Sequence, residues 1–457
     1  MTAKPSPRCP APVLPQRPAD RRLFVLLAAL IAMFEGYDLS VYGATVPALL
    51  HEPGWNLSKG EAGDIGSLVA VGMLVGAGVA GAAGRRVGTR RLLLNGLSFF
   101  SLCMLGSALA DGPGVFAASR LLAGIGLGVV LPTLTAVVGD MSAPRVRARN
   151  IAITMAGSCA GSLGAPLLGS WLLPDVSFRV LYAVGAAALL TVVPWAFLRL
   201  PESPQYLLRT GRAEEAVRTA ARFGLPVAQP PAVSEPADRF LGLGPLLARP
   251  LVVTTLLFWV MAFCGLLLIF GFSTWLPTLM QTGGFSIGSA LTLTCLSWIG
   301  AGVGLVPGGV LADRLGPKRV VTGAFLAGSA GLLVMSRSPA TWVLYLCLLV
   351  CGFGLLACQA LVNAYLIDRM PAHLRVPALG WALSVGRLGA IAGPSLGGHI
   401  LDSSLGLEWN FYFFAATAAV GATAAIAVPA RPAGHRAPRR QTAPIGPVAS
   451  AERGPGG

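Results

Sequence analysis

Long apolar runs, broken at short intervals by arginine, glycine and proline, fill the chain from residue 23 to residue 430. Each is long enough to cross a hydrocarbon core about 30 Å thick as a helix rising about 1.5 Å per residue. Hydropathy and charged breaks predict twelve spans, numbered 1 to 12 in chain order, over 23–50, 62–83, 92–110, 114–138, 150–173, 178–199, 250–279, 286–311, 319–336, 341–367, 376–401 and 409–430. The pattern is that of an all-α membrane protein whose spans form two six-helix bundles, 21–199 and 250–430. The first run is too long for a signal peptide, carries two acids and has no obvious small-residue cleavage site, so it is predicted to remain as a span. Residues 200–249 read as a linker, Arg/Glu-rich from Gly211 to Arg222 and Pro-rich from Leu225 to Pro236. The Pro-rich residues 1–20 and the basic, Pro/Gly/Ala-rich residues 431–457 read as disordered tails.

Charge orients this pattern. Arg85, Arg86, Arg90 and Arg91 follow span 2, Arg145, Arg147 and Arg149 follow span 4, Arg314, Lys318 and Arg319 follow span 8, and Arg369 and Arg375 follow span 10. The alternate connections carry little positive charge, and several hold acids such as Asp111, Asp175, Asp402 and Glu408. Positive loops stay inside, so both tails and the linker are expected in the cytoplasm, with the protein in the inner membrane. Composition agrees: 54% of the 457 residues are hydrophobic, 12% are charged and the mean hydropathy is +0.70. The net charge of +15 would suit nucleic acid in a soluble protein, but its clustering in short loops points to the bilayer as partner and excludes nucleic acid. The eight cysteines have no redox or metal spacing, the four histidines none that binds metal, and no cofactor is expected.

The halves repeat. Gly81, Arg86, Gly88 and Arg91 map onto Gly309, Arg314, Gly316 and Arg319 with an offset of 228 residues. The same offset carries Asp140 onto Asp368, Arg147 onto Arg375, Gly161 onto Gly389 and Pro166 onto Pro394. A register kept this far argues for duplication, and paired halves with a site between them are a transporter architecture.

Against this apolar background a few charges stand out. Glu35 and Asp38 lie three residues apart in span 1, with Tyr42 and Thr45 continuing the same helical face. Asp38 sits about 23 Å along the span, too deep to reach water, and an ionisable group there costs at least about 2.5 kcal/mol unless it is partnered or functional. Arg120 in span 4 reaches a similar depth from the opposite direction, so the two are candidates for a pair that breaks and reforms as a proton moves, or for a permanent salt bridge. Arg387 lies about 18 Å into span 11, near the midplane, where a guanidinium suits a bidentate grip on a carboxylate unless an acid elsewhere holds it. Glycines recur at small-xxx-small spacing in spans 4, 5 and 11 and predict close helix packing.

The segment GGVLADRLGPKR, Gly308 to Arg319, resembles the signature loop of the major facilitator superfamily. Arg120 with Gly124, Gly126 and Gly128 resembles its span 4 motif, and Pro201-Glu202-Ser203-Pro204 its motif at the end of span 6. The Glu35-Gly36-Tyr37-Asp38 of span 1, Trp275-Leu276-Pro277, and Gly380-Trp381-Ala382 with Gly386-Arg387 and Gly393-Pro394 are similar to the aromatic acid:proton symporter family. That resemblance implies alternating access, proton coupling through Glu35, Asp38 and Arg120, and a substrate held by Arg387 with Trp381, Trp298 and Tyr42 around its ring. It also implies gating by Arg85, Arg86, Gly88, Asp140, Asp313, Arg314, Gly316 and Arg375. Three positions depart from the pattern: Arg85 replaces the signature Asp, Glu35 replaces an Asp, and Asp140 a Glu, the last leaving a pair with Arg86 or Arg149 open.

The expected function is import of a small organic anion, an aromatic carboxylate of benzoate type, with protons, by a monomer. A proton antiporter exporting amphipathic compounds is the alternative, and a membrane sensor or enzyme a more distant one. Gly284-Phe285-Ser286-Ile287-Gly288 fits a serine-hydrolase pattern, but no strand precedes it and Ser286 stands where span 8 begins, so a helix cap is expected and an enzyme is not.

Overall fold

The computed structural model describes residues 18–143, 145–225, 243–337 and 340–429, apart from a few side chains, Arg85's among them. Residues 1–17 of the first predicted disordered tail, all of the second and residues 226–242 of the linker lie outside the described residues, whereas residues 18–20 already belong to the helix of span 1. Among the described residues the structure is helical, with no strand. Twelve helices are long and apolar enough to cross a membrane. Spans 1 to 6 are Asp20–Leu49, Lys59–Gly84, Thr89–Ala108, Pro113–Asp140, Arg147–Leu172 and Arg179–Arg199. Spans 7 to 12 are Val252–Thr282, Ile287–Leu315, Pro317–Met335, Thr341–Arg369, Arg375–Asp402 and Glu408–Ala427. In hydrocarbon every backbone polar group must be satisfied within its own segment, which is why runs of this composition fold as helices and leave residues such as Leu26, Val303 and Trp342 exposed on their outer faces.

Local signals set where the helices begin and turn. Ser58 and Glu61 form a capping box at the start of span 2, and Ser286 caps span 8 by accepting from the Ser289 amide, as expected for the hydrolase-like segment. Gly88 and Gly316, the repeat-related glycines of the signature loops, both have φ near +91°. A side chain would strain either turn, so the glycine is needed for the sharp reversal into spans 3 and 9.

The packing repeats with the sequence. Span 1 lies along span 5 as span 7 lies along span 11, and span 2 along span 4 as span 8 along span 10. The span 1–5 seam is close enough that a Cβ on Gly36 would fall 1.9 Å from the Ser158 carbonyl oxygen, and one on Gly161 1.8 Å from that of Met33. Span 10 departs from regular α geometry, with a π-helical stretch over Gly352–Ala357. The described part of the linker holds helices Pro204–Arg209, Ala213–Phe223 and Leu243–Leu247. The second of these docks on span 1, where Arg21 Nε donates to the Phe223 carbonyl at 2.6 Å, Arg222 pairs with Asp20 at 2.8 Å, and the Phe24 and Phe223 rings meet edge-on.

The halves meet through spans 1 and 7, 2 and 11, and 5 and 8. Their polar contacts lie at the end away from the linker. Asp402, closing span 11, accepts from the Lys59 and Gly60 amides at 3.0 and 2.6 Å, so one half supplies the helix cap of the other. Ser395 donates to Asp64 at 2.5 Å, and Ser67 to the Ile391 carbonyl at 2.5 Å. The hydrogen bonds and ion pairs described at the linker end lie within one half or tie a half to the linker. Asp402→Ala removes a cap worth about 0.5–2 kcal/mol. Spin labels at positions 56 and 405 should then report a larger population of long distances, and an unchanged distribution would show that Asp402 does not hold this end closed.

Candidate functional site

The charged centre of the first half is one ion pair. Arg120 donates from Nη1 to Asp38 Oδ1 at 2.6 Å and from Nη2 to Oδ2 at 3.1 Å, and both side chains are sealed from solvent. This bidentate grip ties span 1 to span 4 at the depth that both sequences imply. Tyr182 and Tyr42 present their rings to the guanidinium at 5.4 and 5.9 Å, and Met104 Sδ lies 3.4 Å from Nη1. The tyrosines are fixed in turn. Tyr182 and Thr45 share a hydrogen bond of 2.9 Å, and the Tyr42 hydroxyl donates to the Ala62 carbonyl.

Glu35 stands three residues nearer the linker end and is also buried. Ser158 of span 5 donates to its Oε2 at 2.8 Å. No cation bonds it among the described residues, yet Arg387 of span 11 lies within electrostatic reach across the interface between the halves. Arg387 is half-buried and makes no hydrogen bond or ion pair among the described residues. The permanent partner that the sequence left open for it is therefore not formed among the described residues.

The structure brings Glu35, Asp38, Arg120, Tyr42 and Arg387 to the centre, but not every predicted ring. Tyr42 is committed to Arg120 and Ala62 and is a support rather than a wall of the cleft. Trp381 stands about 120° round span 11 from Arg387. It packs against Trp259 at 6.2 Å, beside a groove lined by Val385 and the exposed Leu256. Trp298 is better placed. It shares a helical face with Leu291, seven residues earlier, which meets Gly169 of span 5, and its indole N–H is buried without an acceptor.

The signature residues gather at the linker end. Asp140 accepts from Ser203, in the Pro201–Pro204 turn, at 3.0 Å, and among the described residues it forms no ion pair with Arg86 or Arg149. Glu202, quoted from the sequence only within its motif, accepts from the Thr89 hydroxyl and the Arg90 and Ser203 amides at 3.0–3.1 Å, so it caps span 3 beside the signature loop that lacks an acid. Arg86, Asp313 and Arg314 are exposed, and Arg375 donates to the Met370 carbonyl at 3.2 Å. Arg85's side chain lies outside the described residues. Ser158, Glu202 and Asp402 are the partners that sequence reasoning missed, since a serine or acid at a helix end carries no signal of what lies opposite.

Two repeated bundles meeting around opposed charges at mid-depth define a membrane transporter rather than an enzyme. The chain belongs to the major facilitator superfamily, whose family model matches residues 28–303 and 287–455. It is 33% identical to the gallate transporter of Pseudomonas putida over 89% of this chain and 91% of that protein. It is likewise 33% identical to the gentisate transporter of Corynebacterium glutamicum, over 89% and 87%, and 28% identical to the benzoate transport protein of Acinetobacter baylyi, over 87% of each. The xylose transporter XylE from E. coli, in a partially occluded inward open conformation, shares the fold with a TM-score of 0.72 at 18% identity, covering 89% of this chain and 97% of that one.

The ion pair makes a direct prediction about stability. Asp38→Asn leaves Arg120 charged and unpaired in the interior, which costs about 3–5 kcal/mol. Thermal unfolding of the purified protein should show a large loss for Asp38→Asn and a smaller one for Asp38→Asn combined with Arg120→Met. Equal losses would mean that the pair does not govern stability.

Proposed function

We propose that the protein imports a small aromatic carboxylate together with protons, by alternating access, from the inner membrane and with both tails and the linker in the cytoplasm. The observation that carries this reading is Arg387, half-buried near the middle of span 11 and in no ion pair among the described residues. A guanidinium so placed needs an anion, and its fork matches a carboxylate. The gallate, gentisate and benzoate carriers among its relatives support a benzoate-like substrate. The polar contacts described between the halves cluster at the end away from the linker, which fits a state open toward the linker, hence inward-facing. One chain supplies both sides of the site, so a monomer suffices.

Glu35 is the carboxylate best placed to exchange the proton. Both oxygens of Asp38 are taken by Arg120, so a proton arriving there must first break an ion pair, whereas Glu35 holds only the Ser158 hydroxyl. Arg387 also lies within electrostatic reach of Glu35. Substrate on Arg387 and a proton on Glu35 each remove one charge from the same gap, which couples the two.

Three measurements test the reading. Arg387→Lys should weaken binding of benzoates to the purified protein by about 1–3 kcal/mol, the worth of a charged hydrogen bond, at normal abundance in the membrane. Equal affinity would remove Arg387 from the site. Glu35→Gln should abolish uptake driven by a pH gradient in proteoliposomes while substrate exchange continues, and full gradient-driven uptake would place the proton elsewhere. A cysteine at position 218, on the exposed linker helix, should react with an impermeant reagent in inverted vesicles and not in intact cells; labelling of intact cells would reverse the topology.

A further inference from the structure

The second half holds an acceptor with nothing to accept. Gln359 and Asn363 are the only carboxamides of span 10, one helical turn apart on one face. Gln359 is 6% exposed, and its Nε2 donates to Asn363 Oδ1 at 3.0 Å, which leaves its Oε1 buried without a donor. Such an atom is costly to keep and calls for a cause.

Three features of the fold single it out. A Cβ on Gly265 of span 7 would fall 2.1 Å from Gln359 Oε1, so only glycine leaves the oxygen its place. The π-helical stretch Gly352–Ala357 ends two residues before Gln359 and resets the face that the rest of span 10 presents. The next residue on span 7, Leu266, lies against Gly386, the neighbour of Arg387. One residue is a rise of about 1.5 Å, so Gln359 and Arg387 flank span 7 at the same level.

We propose that Gln359 is a specificity residue, whose Oε1 accepts the O–H of a hydroxyl on the aromatic ring of a substrate held through Arg387. The assignment rests on the carboxylate reading of Arg387. Its chemistry is selective, because an unpartnered acceptor is satisfied by a hydroxyl and not by a carboxylate or a ring carbon. Asn363, accepting from Nε2, holds the amide with its oxygen free.

Equilibrium binding of benzoate and its three monohydroxy isomers to the full-length purified protein tests this. The wild type should favour at least one hydroxy isomer over benzoate by about tenfold, as a neutral hydrogen bond allows. Gln359→Met, which matches glutamine in length and helix preference, and Gly265→Ala, whose methyl displaces the oxygen, should each bring that ratio close to one. Equal binding of all four ligands by the wild type, or a preference that survives in both variants, would overturn the proposal. If the wild type binds none of the four, the carboxylate reading fails and takes this proposal with it.

Discussion

Hydrocarbon tolerates a charge only when something answers it, and in this protein the answer to Asp38 is Arg120. Their two hydrogen bonds, at 2.6 and 3.1 Å, join helices that approach each other from opposite sides of the membrane and fix the rotation of both. Once span 1 is set, Gly36 and Ser158 come into register along the seam with span 5, and that seam delivers the hydroxyl of Ser158 to Glu35. Placement of the Glu35 carboxylate is thus a consequence of the ion pair beside it.

The halves are built alike and finished differently. Among the described residues of the first, the buried polar atoms left without partners are Nε of Arg90 and Nε of Arg120, each on a guanidinium bonded through another nitrogen. Among the described residues of the second they are the indole nitrogens of Trp259 and Trp298, the hydroxyls of Thr278, Ser297 and Thr322, and the amide oxygens of Gln359 and Asn410. A duplicated fold has in this way kept one half internally satisfied, around fixed charges, and left the other with unspent hydrogen-bonding capacity.

Within each half the contacts are backbone against glycine, which resists sliding out of register. Between halves they are a trans helix cap, two serines and an aspartate at one end. Bonds of that kind are each worth only about 1 kcal/mol net, so they can be exchanged for a matching set at the other end at little cost. Rigid bundles joined by replaceable polar contacts are what rocking about a central site requires.

Much of this was legible in the residues. Twelve apolar runs, the 228-residue repeat and the depth of Asp38, Arg120 and Arg387 follow from composition and a fixed rise per residue, because a bilayer leaves a chain few choices. Azimuth was not legible. Depth put Trp381 beside Arg387, but rotation about span 11 turned it against Trp259; depth allowed Asp140 an arginine, but the Pro201–Pro204 turn brought Ser203. Ser158, Asp402 and Gln359 looked ordinary in the sequence, since their meaning depends on what another helix sets opposite them. The sequence by itself determined how deep each charge lies and that the halves match. Only the tertiary structure decided which way each side chain faces, because helix rotation is set by packing against neighbours far away in the chain.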